Sequence, residues 1–166
     1  CFLMEKEVTV LGIGNILVQD EGFGVAVIEA LQKEYDFPEN VQVIDGGTLG
    51  TELTYFIEGT KKLLIVDAID GNFAPGTFCH FAGEEVEAYF QDKMSMHEIG
   101  IQDVLAALKV SDKEVEEVVV MGYQPYSLEI GVGLTGDMQV FVEPVKELVL
   151  KQLEKWQMEP VRREAV

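Results

Sequence analysis

Three positions far apart in the chain carry side chains that together could do hydrolytic chemistry: Glu21, Asp67 and His97. Two carboxylates and one imidazole, with water completing the shell, suit zinc, nickel or another divalent first-row ion. Such an ion polarises a carbonyl and lowers the pKa of a water from about 15.7 towards about 7, which allows hydrolysis without a Ser or Cys nucleophile. Each residue alone also has an ordinary structural explanation. Asp20 and Glu21 stand at a helix start, where acids complement the dipole. Asp67 follows four apolar residues, and an acid at a strand end is often satisfied by its own loop, although one-sided desolvation raises the cost of leaving it unpaired. His97 is one of two histidines, and a lone histidine is more often structural than a ligand. The other, His80, adjoins Cys79; in a strand the two point to opposite faces and cannot jointly grip an ion. His97-Glu98 lacks the second histidine of a zincin helix.

The segment Gly12-Ile13-Gly14-Asn15-Ile16-Leu17-Val18-Gln19-Asp20-Glu21-Gly22-Phe23-Gly24 begins like a dinucleotide fingerprint. Leu17 stands where the third glycine should fall. Two acids then occupy the helix start that a phosphate would need bare, so the spacing argues against a nucleotide.

These residues must be positioned by an alternation of strands and helices. Glu7–Gly12 is short, apolar and β-branched, as a buried strand should be, and a helix follows over about 21–35. Val41–Ile44 reads as a second strand stopped by Asp45-Gly46-Gly47, with a helix over about 51–58. Leu63–Val66 is a central strand, 77–81 an edge strand, and Val118–Met121 another buried strand. Ser95-Met96-His97-Glu98 has the form of a capping box ahead of Ile99, Val104, Leu105 and Leu108. The last helix is expected over about 140–157. The pattern predicts a single α/β layered domain with a twisted, mostly parallel sheet flanked by helices on both faces. Ligands in such sheets bind beyond the carboxyl ends of the strands, which selects residues 14–21, 45–48 and 67–70.

The chain has 166 residues, about one domain, and its 12 Lys and Arg against 30 Asp and Glu leave a net charge of −18. With 48% hydrophobic residues it is a folded chain with an acidic surface, not an acidic tail. That charge excludes nucleic acid and disfavours anionic membranes. No apolar stretch approaches the roughly 20 residues that span a bilayer, and no signal peptide is read at the start. Two cysteines suit a reducing, cytoplasmic setting. Cys1-Phe2-Leu3 precede Met4 and read as an expression remnant, which puts the domain at 4–166.

Gly12–Leu17 with Asp20-Glu21, then Asp45-Gly46-Gly47-Thr48, Asp67-Ala68, Ala74-Pro75-Gly76-Thr77, Ser95-Met96-His97 and Gly131-Val132-Gly133-Leu134-Thr135 resemble, in order, the hydrogenase maturation endopeptidases. Met96 is a local departure, standing where a close relative can carry proline. The resemblance runs from about residue 7 to the end. It implies a metal-dependent endopeptidase that removes a short C-terminal peptide from the precursor of the nickel–iron hydrogenase large subunit after nickel insertion. It also implies Glu21, Asp67 and His97 as catalytic and metal-binding residues. Asp45, Gly46, Gly47 and Thr48 would recognise the substrate or its nickel. The ion is either the enzyme's own, with zinc as a candidate, or nickel already seated in the precursor. A monomeric state is expected, and the alternative function is a non-catalytic nickel-binding checkpoint in hydrogenase assembly. A spore-germination protease shares a related fold by resemblance but is larger.

Overall fold

Val8, Val10 and Leu11 are wholly buried because their strand, β1 (Val8–Ile13), lies inside a five-stranded sheet. This arrangement comes from a computed structural model of the chain, which describes residues 6–47, 52–92, 106, 108–110 and 113–164. The sheet also contains β3 (Val41–Gly47), β4 (Lys62–Ala68), β5 (Phe78–Ala82) and β6 (Glu117–Tyr123), in the order β3-β1-β4-β6-β5. β3, β1, β4 and β6 are parallel, and β5 runs antiparallel on the outer side of β6. The expected fold class is therefore the observed one. β5 takes the edge position anticipated for residues 77–81.

Alternation along the strands sends side chains to two apolar layers. Val8, Val10, Leu64 and Val66 pack with Phe23, Val27, Ile28 and Leu31 of α1 (Phe23–Glu34) and Val145, Val149 and Leu153 of α5 (Val142–Lys155). Leu11, Ile13, Leu63 and Ile65 face the other way, onto Leu53 and Ile57 of α2 (Leu53–Ile57) and Val86 of α3 (Glu84–Asp92). Each fully buried Val, Leu, Ile or Phe here is worth about 1.5–3 kcal/mol of transfer free energy. Near the start of α1 an aromatic stack closes the first layer: Tyr123 meets Phe23 edge-on at 6.0 Å and lies flat on Phe141 at 4.1 Å.

The structure adjusts several sequence expectations. β3 does not stop at Ile44: Asp45, Gly46 and Gly47 continue it, because the ladder skips from Gly12↔Asp45 to Ile13↔Gly47 and bulges at Gly46. The last helix, expected over about 140–157, is observed as α5, with Pro144 in its first turn where a missing N–H does no harm, and a short α4 (Gly136–Gln139), capped by the Thr135 hydroxyl, precedes it unanticipated. A short antiparallel pair, β2 (Tyr35–Asp36) with β7 (Val161–Arg162), and α3 were not anticipated. Of the helix expected behind Ser95, only Ala106 and Leu108–Val110 fall among the described residues, and they are helical. No helix among the described residues is long and apolar enough to cross a membrane.

Candidate active site

The chain leaves β1 for β3 on one side and returns to β4 on the other, so the strand order reverses between β1 and β4. In open α/β sheets that crevice, beyond the strand carboxyl ends, is where ligands bind. Two of the predicted site acids flank it. Glu21 lies in a 3-10 turn (Gln19–Gly22) that joins β1 to α1, and Asp67 is the penultimate residue of β4.

Close backbone approach makes this edge compact. The start of α1 rests on β4: a Cβ at Gly24 would meet the Val66 carbonyl oxygen at 2.2 Å and that of Ile13 at 2.7 Å. Gly14 has a φ of +131°, and a Cβ there would meet the Glu21 carbonyl oxygen at 1.8 Å. Only glycine can supply both the conformation and the space. Gly14, which helps to imitate a dinucleotide fingerprint, thus serves the packing of the Glu21 turn against the end of β1, and Gly24 that of α1 against β4.

Asp67 is fully buried. It shares its face of β4 with Leu63 and Ile65, which directs its carboxylate towards α3, where the Tyr89 hydroxyl donates to Oδ2 at 3.1 Å. Tyr89 is itself stacked on Phe81, with ring centroids 4.9 Å apart. Beside Asp67, Gly122 of β6 leaves room for the Asp67 carbonyl, which a Cβ would meet at 1.7 Å. The segment after β4 is held by the buried amide of Gln124, whose Oε1 accepts from Gly71 N and Phe73 N and whose Nε2 donates to Asp70. Next to it Tyr123, desolvated by burial, has its hydroxyl pKa pushed up from 10.0 and stays neutral at ordinary pH.

Asp20 departs from its reading as a dipole-complementing acid. It is fully buried, and its carboxylate accepts from Tyr126 N at 2.9 Å, Ser127 N at 3.0 Å, Thr135 N at 2.7 Å and Thr135 Oγ1 at 3.0 Å. The backbone repeats the connection: Gln19 N donates to Gly131 O, Asp20 N to Ser127 O, and Gly131 N to Leu17 O. The Glu21 turn is therefore sewn to residues 126–135 across more than 100 positions of sequence. Asp20, Tyr89, Gln124 and Thr135 were not singled out as site-forming from the sequence. Their partners are backbone groups or side chains distant along the chain, which spacing does not reveal.

Asp45 is exposed near the carboxyl end of β3, opposite Gly12, and Gly46 packs against Leu11 with Gly47 at φ +44°. Thr48 and His97 lie outside the described residues. Cys79 is buried and His80 exposed on β5, so the two do point apart. Among the described residues no group of three His, Cys, Asp or Glu side chains is gathered as a metal site. The carboxylates of Glu21 and Asp67 nevertheless have the donor chemistry a divalent cation needs. Residues 7–32 and 63–92, which carry them, contain no Lys or Arg to compete for it.

The fold and the order of these residues have clear relatives. Residues 25–152 match the hydrogenase maturation protease family model HycI. The chain is 41% identical over 160 residues to the hydrogenase 2 maturation protease of Escherichia coli, covering 96% of this chain and 98% of that one. It is 40% identical to the hydrogenase expression/formation protein HoxM of Cupriavidus necator, over 95% of this chain and 79% of HoxM. Its structure superposes on the hydrogenase maturating endopeptidase HybD of E. coli with a TM-score of 0.90, at 40% identity and over 96% and 98% of the two chains. With the HybD maturation protease of Thermococcus kodakarensis the TM-score is 0.72 at 26% identity, over 90% and 99%. On the family match and on identity above 40% across nearly its whole length, this chain belongs to the hydrogenase maturation protease family.

Proposed function

We propose that this chain is the endopeptidase that removes a short C-terminal peptide from the precursor of a nickel–iron hydrogenase large subunit, once nickel has been inserted. The observation that carries the reading is the placing of Glu21 and Asp67 on either side of the crevice where the strand order reverses. Membership of a maturation protease family supports the peptidase activity and the class of precursor.

In this reading Glu21, Asp67 and His97 hold a divalent ion, either nickel brought by the precursor or an ion such as zinc resident in the enzyme. When bound, the ion supplies Lewis-acid polarisation of the scissile carbonyl and acidification of a water. The chain's own groups do the rest. Tyr89 fixes the orientation of the Asp67 carboxylate. The layers beneath the crevice, with Ile65 and Val66 fully buried, exclude bulk water from its floor, where charge interactions are strengthened. Exposed Asp45, set at the end of β3 by the Gly46 bulge, offers a carboxylate for recognising the precursor.

Incubating the chain with precursor, with and without nickel in it, tests the reading by mass spectrometry. The expected result is loss of a C-terminal peptide from the nickel-loaded form only, abolished by Glu21→Gln, Asp67→Asn or His97→Ala. Binding without cleavage would instead make the protein a nickel checkpoint. Normal cleavage by any two of the three variants would sink the site assignment. Stoichiometric, tightly held zinc in the purified protein would count against inspection of the precursor's nickel.

A further inference from the structure

We propose that Asp20 is a positioning residue of the site, fixing Glu21 and the segment 126–135 as one rigid unit on which the reaction depends. The proposal rests on the reading of Glu21 as a ligand. Asp20 is fully buried and accepts four hydrogen bonds, all from residues 126–135 and three of them from backbone N–H groups. It is bonded directly to Glu21, whose Cα is therefore about 3.8 Å from its own. On its other side, Glu21 is limited by Gly14, whose missing Cβ leaves the Glu21 carbonyl its place. The turn is thus held from both directions.

The choice of donors matters for chemistry as well as for stability. A buried carboxylate could have been paired with a Lys or Arg, but residues 7–32 and 114–145 contain neither. Neutral N–H and O–H donors satisfy the lone pairs of Asp20 without cancelling its charge. Such donors have fixed directions, so they set where the Asp20 carboxylate, and the Glu21 backbone bonded to it, must sit. The same bonds determine what stands beside the turn: residues 126–135 carry exposed Ile130 (93% exposed) and Val132 (81% exposed), next to exposed Ile16 and Leu17 in the segment that leads into it.

Asparagine has the shape of aspartate, but its amide cannot replace this carboxylate. Whichever way it is turned, its NH2 faces Thr135 N on one side or Tyr126 N and Ser127 N on the other. A merely structural tie and a positioning role then separate in the kinetics of the folded variant. The test uses the full chain, nickel-loaded precursor, and the variants Asp20→Asn, Thr135→Val, Thr135→Ser and Glu21→Gln, each assayed well below its own melting temperature. kcat and KM for cleavage are read together with affinity for Ni2+ alone by calorimetry.

Asp20→Asn is expected to lower kcat, and Ni2+ affinity where the wild type binds the ion by itself, by about 10- to 100-fold, the scale on which loss of a group that orients a ligand acts. Thr135→Val should lose kcat in the same direction but less, and Thr135→Ser should restore it by returning the hydroxyl. Wild-type kcat in folded Asp20→Asn, with only its melting temperature lowered, overturns the proposal and leaves the function intact. Should Asp20→Asn not fold, equal kcat in Thr135→Val, Thr135→Ser and wild type overturns it equally. Wild-type cleavage by Glu21→Gln would instead remove the underlying assignment of Glu21.

Discussion

At its amino end helix α1 meets Asp20, a buried carboxylate held by three backbone N–H groups and a hydroxyl. At its carboxyl end the last residue, Glu34, meets Lys146, a buried ammonium that donates to Glu34 at 2.5 Å and to Glu143 at 2.6 Å. Arg162 adds a looser contact to Glu34 at 3.9 Å. Both ends solve the problem of a charge out of water, but by different means. Backbone donors have fixed directions and carry no net charge, so they define position. Flexible side-chain ions neutralise one another and define position poorly. The first arrangement lies beside the proposed cation site and the second at the opposite edge of the sheet. Directional anchoring is thus found beside the proposed site, and ion pairing away from it.

The largest effect is expected from breaking the anchored end directly. Gly14→Ala sets a Cβ about 1.8 Å from the Glu21 carbonyl at a φ of +131°. The backbone must move, and overpacking together with left-handed strain should cost about 3 kcal/mol, read by chemical denaturation. Precursor cleavage should be lost even in the fraction that folds. An alanine variant with wild-type stability would show that this edge is softer than the contrast between the two ends requires.

Tyr89→Phe tests the same directional principle at the other acid. The hydroxyl that donates to Asp67 is removed while the ring stays stacked on Phe81. Cleavage should fall by about 10-fold or more, as for other outer-sphere partners of ligands, with a stability change of about 1 kcal/mol or less. Unchanged cleavage would separate Asp67 orientation from function. Asp45 provides the contrast within the same edge, being exposed. Asp45→Asn should raise KM for the precursor several-fold, leaving kcat and melting temperature alone. A fall in kcat instead would move Asp45 from recognition into the chemistry.

The sequence made the anchored edge only half legible. The βα alternation, the buried runs Val8–Leu11 and Leu63–Val66, and the placing of Glu21 and Asp67 after or at strand ends all follow from local periodicity, and the structure bears them out. What binds Asp20 could not be read, because three of its four donors are main-chain groups 106, 107 and 115 residues away and have no side-chain signature. The motif Gly131–Thr135 entered only through a family resemblance, and the structure shows what it does physically, since Gly131 pairs with Gln19 and Leu17, and Thr135 with Asp20. Gly46-Gly47 looked like a strand stop because glycine weakens strands, yet Gly46 bulges out of the register and Gly47 resumes the ladder opposite Ile13. Helix α3 escaped notice because Val86 and Tyr89, which it packs on the core, stand amid Glu84, Glu85 and Glu87.

Lys146→Met should affect stability and leave cleavage untouched, which makes it the sharpest check on the ion-paired end. Burial lowers the Lys146 pKa, but hydrogen bonds and attraction from Glu143 and Glu34 outweigh it, and the folded value lies above the ordinary 10.5. The folded state therefore binds this proton more tightly than the unfolded chain does. Its stabilising contribution is fully present below the unfolded pKa and is lost as pH rises through the folded one. Methionine fills a similar volume but leaves Glu34 without its buried partner. The expected loss is about 1–2 kcal/mol at neutral pH, moderated because both carboxylates remain partly in water. The difference in denaturation midpoint between wild type and Lys146→Met should then shrink as pH rises above 10.5. A variant that keeps its stability but loses cleavage would mean that the two ends of α1 are coupled, and that ion pairing at the far end also sets the position of Glu21.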